Sequence, residues 1–66
     1  KNNDSIIMEI RAGVGGNEAA LFAKDLFSMY SKYAQSKNWS LKVLDENITD
    51  LSGIKSISFI LKGEGL

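Results

Sequence analysis

From Ala19 to Ala34 the apolar residues Ala19, Phe22, Ala23, Leu26, Phe27, Met29, Tyr30, Tyr33 and Ala34 recur at helical spacing, with Lys24, Ser28, Lys32 and Gln35 on the polar side. One long amphipathic helix is the reading this pattern supports. Asn17 is placed to cap it, because its side-chain oxygen can accept an unpaired N–H of the first turn. Glu18 near the start and Lys32 and Lys37 toward the end suit the helix dipole. A helix over about 17–36 spans roughly 30 Å, enough to cover a short sheet. A chain of 66 residues has room for little else, and one helix covers only one face of that sheet.

The flanking segments read as strands. Lys1 to Asp4 is a polar, frayed end, after which Ile6, Met8, Ile10 and Ala12 alternate with Ile7, Glu9 and Arg11 and predict a strand over about 6–12. Trp39, Leu41 and Val43 predict a second strand over about 39–44, facing the helix. Asp45 to Gly53 reads as a polar connection whose Ile48 and Leu51 tuck back on the core. Ile57, Phe59 and Leu61 share one face of a third strand over about 54–62, with Ser56, Ser58 and Ile60 on the other. The expected fold is therefore α+β, a two-layer β-α-β-β unit with one long helix on a three-stranded sheet. The third strand is the most apolar on both faces and suits the centre, giving an antiparallel sheet of order 1-3-2. Order 1-2-3, with a parallel first pair and a right-handed crossover, remains open.

Composition narrows the functional classes. Eight Lys and Arg balance eight Asp and Glu, and Cys, His and Pro are absent. Neither a disulfide framework nor a His- or Cys-based zinc site is available to support so small a core. Stability that is marginal, or completed by a partner, follows. No apolar run approaches the roughly 20 residues of a membrane span, and no signal peptide is visible. Lys1 at the start and Gly63-Glu64-Gly65-Leu66 at the close lead to the expectation of a part of a longer protein. Its open sheet face would show Ile7, Leu44 and Ile60 beside Glu9, Arg11 and Lys42. Such a face is either ordinary exposure or a docking surface for further sequence.

Each candidate chemical motif has a plainer reading. Gly13-Val14-Gly15-Gly16-Asn17-Glu18 lies between a strand and a helix, where phosphate loops occur. Glu18 replaces the third glycine of a dinucleotide motif, and no Gly-Lys-Ser/Thr follows. A structural turn is the preferred reading, with anion binding at the helix start as the alternative. Nucleophilic catalysis supported by His or Cys is excluded. Asp45, Glu46 and Asp50 form the one acidic cluster and read as a solvated turn. Tyr30, Tyr33, Trp39 and Phe59, with Arg11, Lys42 and Lys55, could suggest base stacking, but their spacing assigns them to the core and its border. No catalytic, cofactor-binding or metal-binding residue is assigned, and no cofactor is expected. Asn38-Trp39-Ser40 and Asn47-Ile48-Thr49 match the glycosylation sequon by chance.

The run Ile10-Arg11-Ala12-Gly13-Val14-Gly15-Gly16-Asn17-Glu18-Ala19-Ala20, continued through Leu21 to Ala34, resembles the central domain of bacterial peptide chain release factors. The resemblance covers nearly the whole chain and is weakest from Asp45 to Ser52. Ala20-Leu21-Phe22-Ala23 and Met29-Tyr30-Ser31-Lys32-Tyr33 resemble the type 1 branch, which serves UAA and UAG. Val14 and Asn17 depart from its more usual Thr and Asp, so an organellar or related branch stays open. The resemblance implies a cytoplasmic parent that enters the ribosome at an mRNA stop codon and triggers release of the nascent peptide, with no membrane partner. It also implies that the rest of the central domain packs on the open sheet face. The family's Gly-Gly-Gln and Pro-x-Thr elements do not occur here. The chain is then a scaffold and not an enzyme; the alternative is a small protein–protein interaction module.

Overall fold

The computed structural model describes residues 4–66. The elements follow in the order β1 (Asp4–Arg11), α1 (Gly16–Ser36), β2 (Ser40–Ile48) and β3 (Ile54–Gly63). The sheet has order β1-β3-β2 with both pairings antiparallel. This is the 1-3-2 arrangement expected of an α+β unit with one helix on one face, and it removes the 1-2-3 alternative. The expectation of a frayed Lys1–Asp4 lies outside the described residues for its first three positions. Asp4 itself opens β1 opposite Gly63.

The central strand owes its place to its own sequence. Ile57, Phe59 and Leu61 are all buried, and Phe59 is fully enclosed. Ile10 of β1 and Ala23 and Ala34 of α1 join them in the core, with Met8, Leu26, Phe27, Tyr30, Trp39 and Leu41 packed around. The Phe27 ring meets Phe59 edge-on with centroids 5.0 Å apart, a favoured aromatic geometry. Alanines at the points of closest approach let the helix sit low on β3. Gly53 is buried in the same way, since a Cβ there would stand 2.8 Å from the Ala20 Cβ.

Helix boundaries are set by backbone conformation. At the start, Gly15 (φ 141°) and Gly16 (φ 61°) take positive φ, and Gly15 is the N-cap without any side-chain capping bond. Asn17 therefore lies inside the first turn rather than capping it: two glycines make the bend that a capping side chain would otherwise anchor. At the other end Lys37 is the C-cap and Asn38 adopts φ 61°. The Trp39 N–H donates to the Ala34 carbonyl at 2.9 Å and the Asn38 N–H to Gln35 at 3.1 Å. These paired bonds form a Schellman closure with Asn in the left-handed position, and Tyr33 against Trp39 at 5.6 Å supplies its usual apolar contact. Trp39 thus belongs to the helix exit and not to β2.

The second strand is longer than its sequence pattern suggests. Asp45, Glu46 and Asn47 pair with Ser58, Ile57 and Ser56, after a bulge between Val43 and Asp45. The bulge accounts for the missing alternation, because one extra residue resets which side each following side chain takes. Thr49 closes the loop: its N–H donates to Gly53 O at 2.8 Å, and its hydroxyl oxygen accepts from the Gly53 N–H at 2.9 Å. Ile48 and Leu51 do not tuck back; they are 48% and 65% exposed.

Candidate docking surface

Strand register fixes what the helix-free face displays. Across β1, β3 and β2 its rows are Ser5–Lys62–Ser40, Ile7–Ile60–Lys42, Glu9–Ser58–Asp45 and Arg11–Ser56–Asn47. Ile7, Ile60 and Lys42 are brought together as the alternation suggests, while Leu44 falls at the bulge and faces no residue of β3. Ile7 is 66% exposed and Ile60 half-buried. Arg11 donates to Glu9 at 3.0 Å along the same edge; both groups are exposed, so this ion pair adds little stability. Ser56 and Ser58 keep the middle of the face low, which allows close approach by a partner.

Two open depressions flank this surface. One, of about 640 Å³, is lined by Ser5, Asn38, Ser40, Lys62 and Gly63. The other, of about 230 Å³, is lined by Arg11, Ala12, Asn47, Lys55 and Ser56. Neither lining includes a carboxylate, so neither provides the paired acid and base of hydrolytic chemistry. Among the described residues no three acidic side chains gather where they could hold a metal ion. Asp45 and Glu46 sit in β2, not in a loop, and point to opposite faces of the strand; Asp50 lies in the turn beyond.

The remaining motif residues occupy structural positions. The Gly13–Glu18 segment makes the bend into α1, with Glu18 in the first turn, where its charge opposes anion binding. Phe59 is fully buried, Tyr30 leans on it at 6.3 Å and Trp39 is half-buried. A second unpartnered surface escaped the sequence reading. Phe22, Met29 and Tyr33 were expected on the covered side of the helix, yet they are 67%, 53% and 50% exposed. The apolar positions of α1 span more of its circumference than three strands can cover. That breadth was the available signal.

The described residues form a small two-layer unit that leaves apolar surface on both layers. The chain belongs to the PCRF domain family, whose match runs over residues 1–66. It is 57% identical over 61 residues to peptide chain release factor 1 of Syntrophomonas wolfei, covering 92% of this chain and 17% of that protein. It is 54% identical over 66 residues to the protein of that name in Ligilactobacillus salivarius (98% and 18%). With the one in Dictyoglomus turgidum it shares 59% over 61 residues (92% and 17%). The chain thus spans less than a fifth of the length of these relatives. No described helix is long and apolar enough to cross a membrane.

Proposed function

We propose that this chain is part of the central domain of a type 1 peptide chain release factor. The parent would be a cytoplasmic protein that engages the ribosome at UAA and UAG codons and directs release of the nascent peptide. Within it the chain acts as scaffold: the turn at Gly15-Gly16 and the helix over β3 hold a rigid plate on which the codon-reading and hydrolysis elements of the parent are carried. Identity above 50% across more than nine-tenths of the chain to proteins of that name carries this reading.

The shape of the chain supports it. Its surface is 4804 Å², against roughly 4,100 Å² for a compact domain of this size. The radius of gyration is 12.7 Å, against roughly 10.8 Å. Uncovered area of this kind fits a unit whose faces are completed by more protein. In the parent, the rest of the central domain packs against the open sheet face at Ile7 and Ile60.

The experiment is peptide release from ribosomes stalled at each stop codon. The parent is expected to act at UAA and UAG but not UGA, and the 66-residue chain at none. A parent lacking Gly-Gly-Gln and Pro-x-Thr, and inert in this assay, would point instead to an interaction module. Urea unfolding tests the completed face: the midpoint should rise when the chain is extended through the central domain, and equal midpoints would contradict packing there.

A further inference from the structure

We propose that Trp39 is a positioning residue: its indole latches the turn at Glu64 to the exit of α1 and so aims the segment that follows Leu66 in the parent. The functional consequence rests on the release-factor reading above; the geometry does not. Trp39 is held at the helix end from two sides. Its backbone N–H donates to the Ala34 carbonyl at 2.9 Å, and its ring meets Tyr33 edge-on with centroids 5.6 Å apart. From this fixed place the indole N–H donates to the Glu64 carbonyl at 2.8 Å, 25 residues further along the chain. Among the described residues the other side-chain hydrogen bonds span only two to four residues. The indole alone joins distant parts of the fold in this way.

What the indole holds has little else to hold it. The ladder with β2 ends at Lys62 and the ladder with β1 at Gly63. Past Gly63, among the described residues, no backbone hydrogen bond fastens the chain. Glycines stand on both sides of Glu64, and Gly65 has a φ of 85°, so the backbone here has unusual freedom. Gly63 also makes the latch possible, because a Cβ at that position would collide with the indole ring. An indole N–H is a donor only. It fixes one carbonyl in one place, and the path of the next residues starts from that carbonyl.

In the parent this fixes aim rather than chemistry. An angular error at the root of a segment grows with distance along it, and a misplacement of about 1 Å far from the reacting atoms can cost on the order of a hundredfold. Loss of the latch should therefore weaken productive engagement of the ribosome while leaving the step that follows engagement intact.

The test is peptide release by the parent at UAA, with its concentration varied so that the half-maximal concentration and the maximal rate are read separately. Trp39→Phe keeps an aromatic ring against Tyr33 and removes the N–H donor. It should raise the half-maximal concentration about fivefold or more and leave the maximal rate within about twofold. Gly63→Ala, which displaces the ring with its N–H intact, should do the same. Leu26→Ala, about two helical turns before Ala34, lowers stability away from the latch. It should reduce the folded fraction without changing the half-maximal concentration of what remains folded. In the 66-residue chain the single indole N–H should exchange with solvent about tenfold or more slowly than in free tryptophan, and Gly63→Ala should abolish that protection. Free exchange of the indole N–H would overturn the inference, as would either latch variant behaving like Leu26→Ala. A wild-type parent inert in peptide release would defeat the release-factor reading instead, and indole exchange would still decide the latch.

Discussion

The indole of Trp39 occupies the space that a side chain on Gly63 would need: an added Cβ would lie 2.8 Å from the indole Cγ and in collision with the neighbouring ring carbon. The indole N–H donates to the Glu64 carbonyl at 2.8 Å, pinning the ring over the end of β3. Gly63→Ala should therefore displace the ring and cost about 1 to 3 kcal/mol. Trp39 is the one tryptophan, so a lower urea midpoint should come with a shifted emission maximum. Unchanged emission would show that the ring does not rest there.

The three glycines at the entry to α1 should respond differently. Gly15 and Gly16 have positive φ, whereas Gly13 does not and has open space where a Cβ would go. Alanine at position 15 or 16 should cost about 1 to 3 kcal/mol through backbone strain. At position 13 it should change stability by less than about 0.5 kcal/mol. Thermal unfolding of the three variants side by side provides the comparison, and equal effects would mean that the bend is not held by backbone conformation.

Core truncations should rank by enclosure. Phe59→Ala empties a fully buried site and should cost about 3 to 5 kcal/mol, enough to unfold most of so small a chain. Leu26 is half-buried at the edge of the core, and Leu26→Ala should fall at or below the roughly 2 kcal/mol lower end for buried leucines. Denaturation in the presence of a stabilising osmolyte keeps the weaker variant measurable. A larger loss at Leu26 than at Phe59 would reverse the assignment of the core centre.

Asn38 tests the helix exit. Its φ of 61° is tolerated by Asn and suits Gly better, so Asn38→Gly should leave the melting temperature unchanged or raise it. Asn38→Val should lower stability by about 1 kcal/mol or more, since a β-branched residue is strained there. Helical ellipticity followed through the melt separates the two.

The helix and the central strand were legible because each declares itself over many residues: α1 in its apolar period, β3 in apolar residues on both faces, Ile57, Phe59 and Leu61 on one and Ile60 on the other. The central place of β3 followed from that composition. The second half of β2 was not legible, since Asp45, Glu46 and Asn47 have the composition of a turn and the bulge after Val43 breaks the alternation. Asn17 offered a standard capping side chain, but the pair of glycines ahead of it placed the cap two residues earlier. Phe22 and Met29 read as core, and Tyr33 as its border, because periodicity shows where apolar groups lie on a helix, not how wide a sheet lies beneath them. Ile7, Ile60 and Lys42 were placed correctly on the open face, whereas Leu44 falls at the bulge and has no register partner on β3.

The order of strands in the sheet also bears on how the chain is made. Asp4, at the start of β1, finds its neighbour in Gly63, at the end of β3. Neither β1 nor β2 has a strand to pair with until β3 arrives between them. During translation α1 can begin to coil alone, but the sheet waits, with its apolar side chains unsheltered, until β3 has left the exit tunnel. Chains cut short before residue 54 should therefore collapse without a sheet and be degraded, and slowing synthesis within α1 should gain nothing for the yield of folded protein.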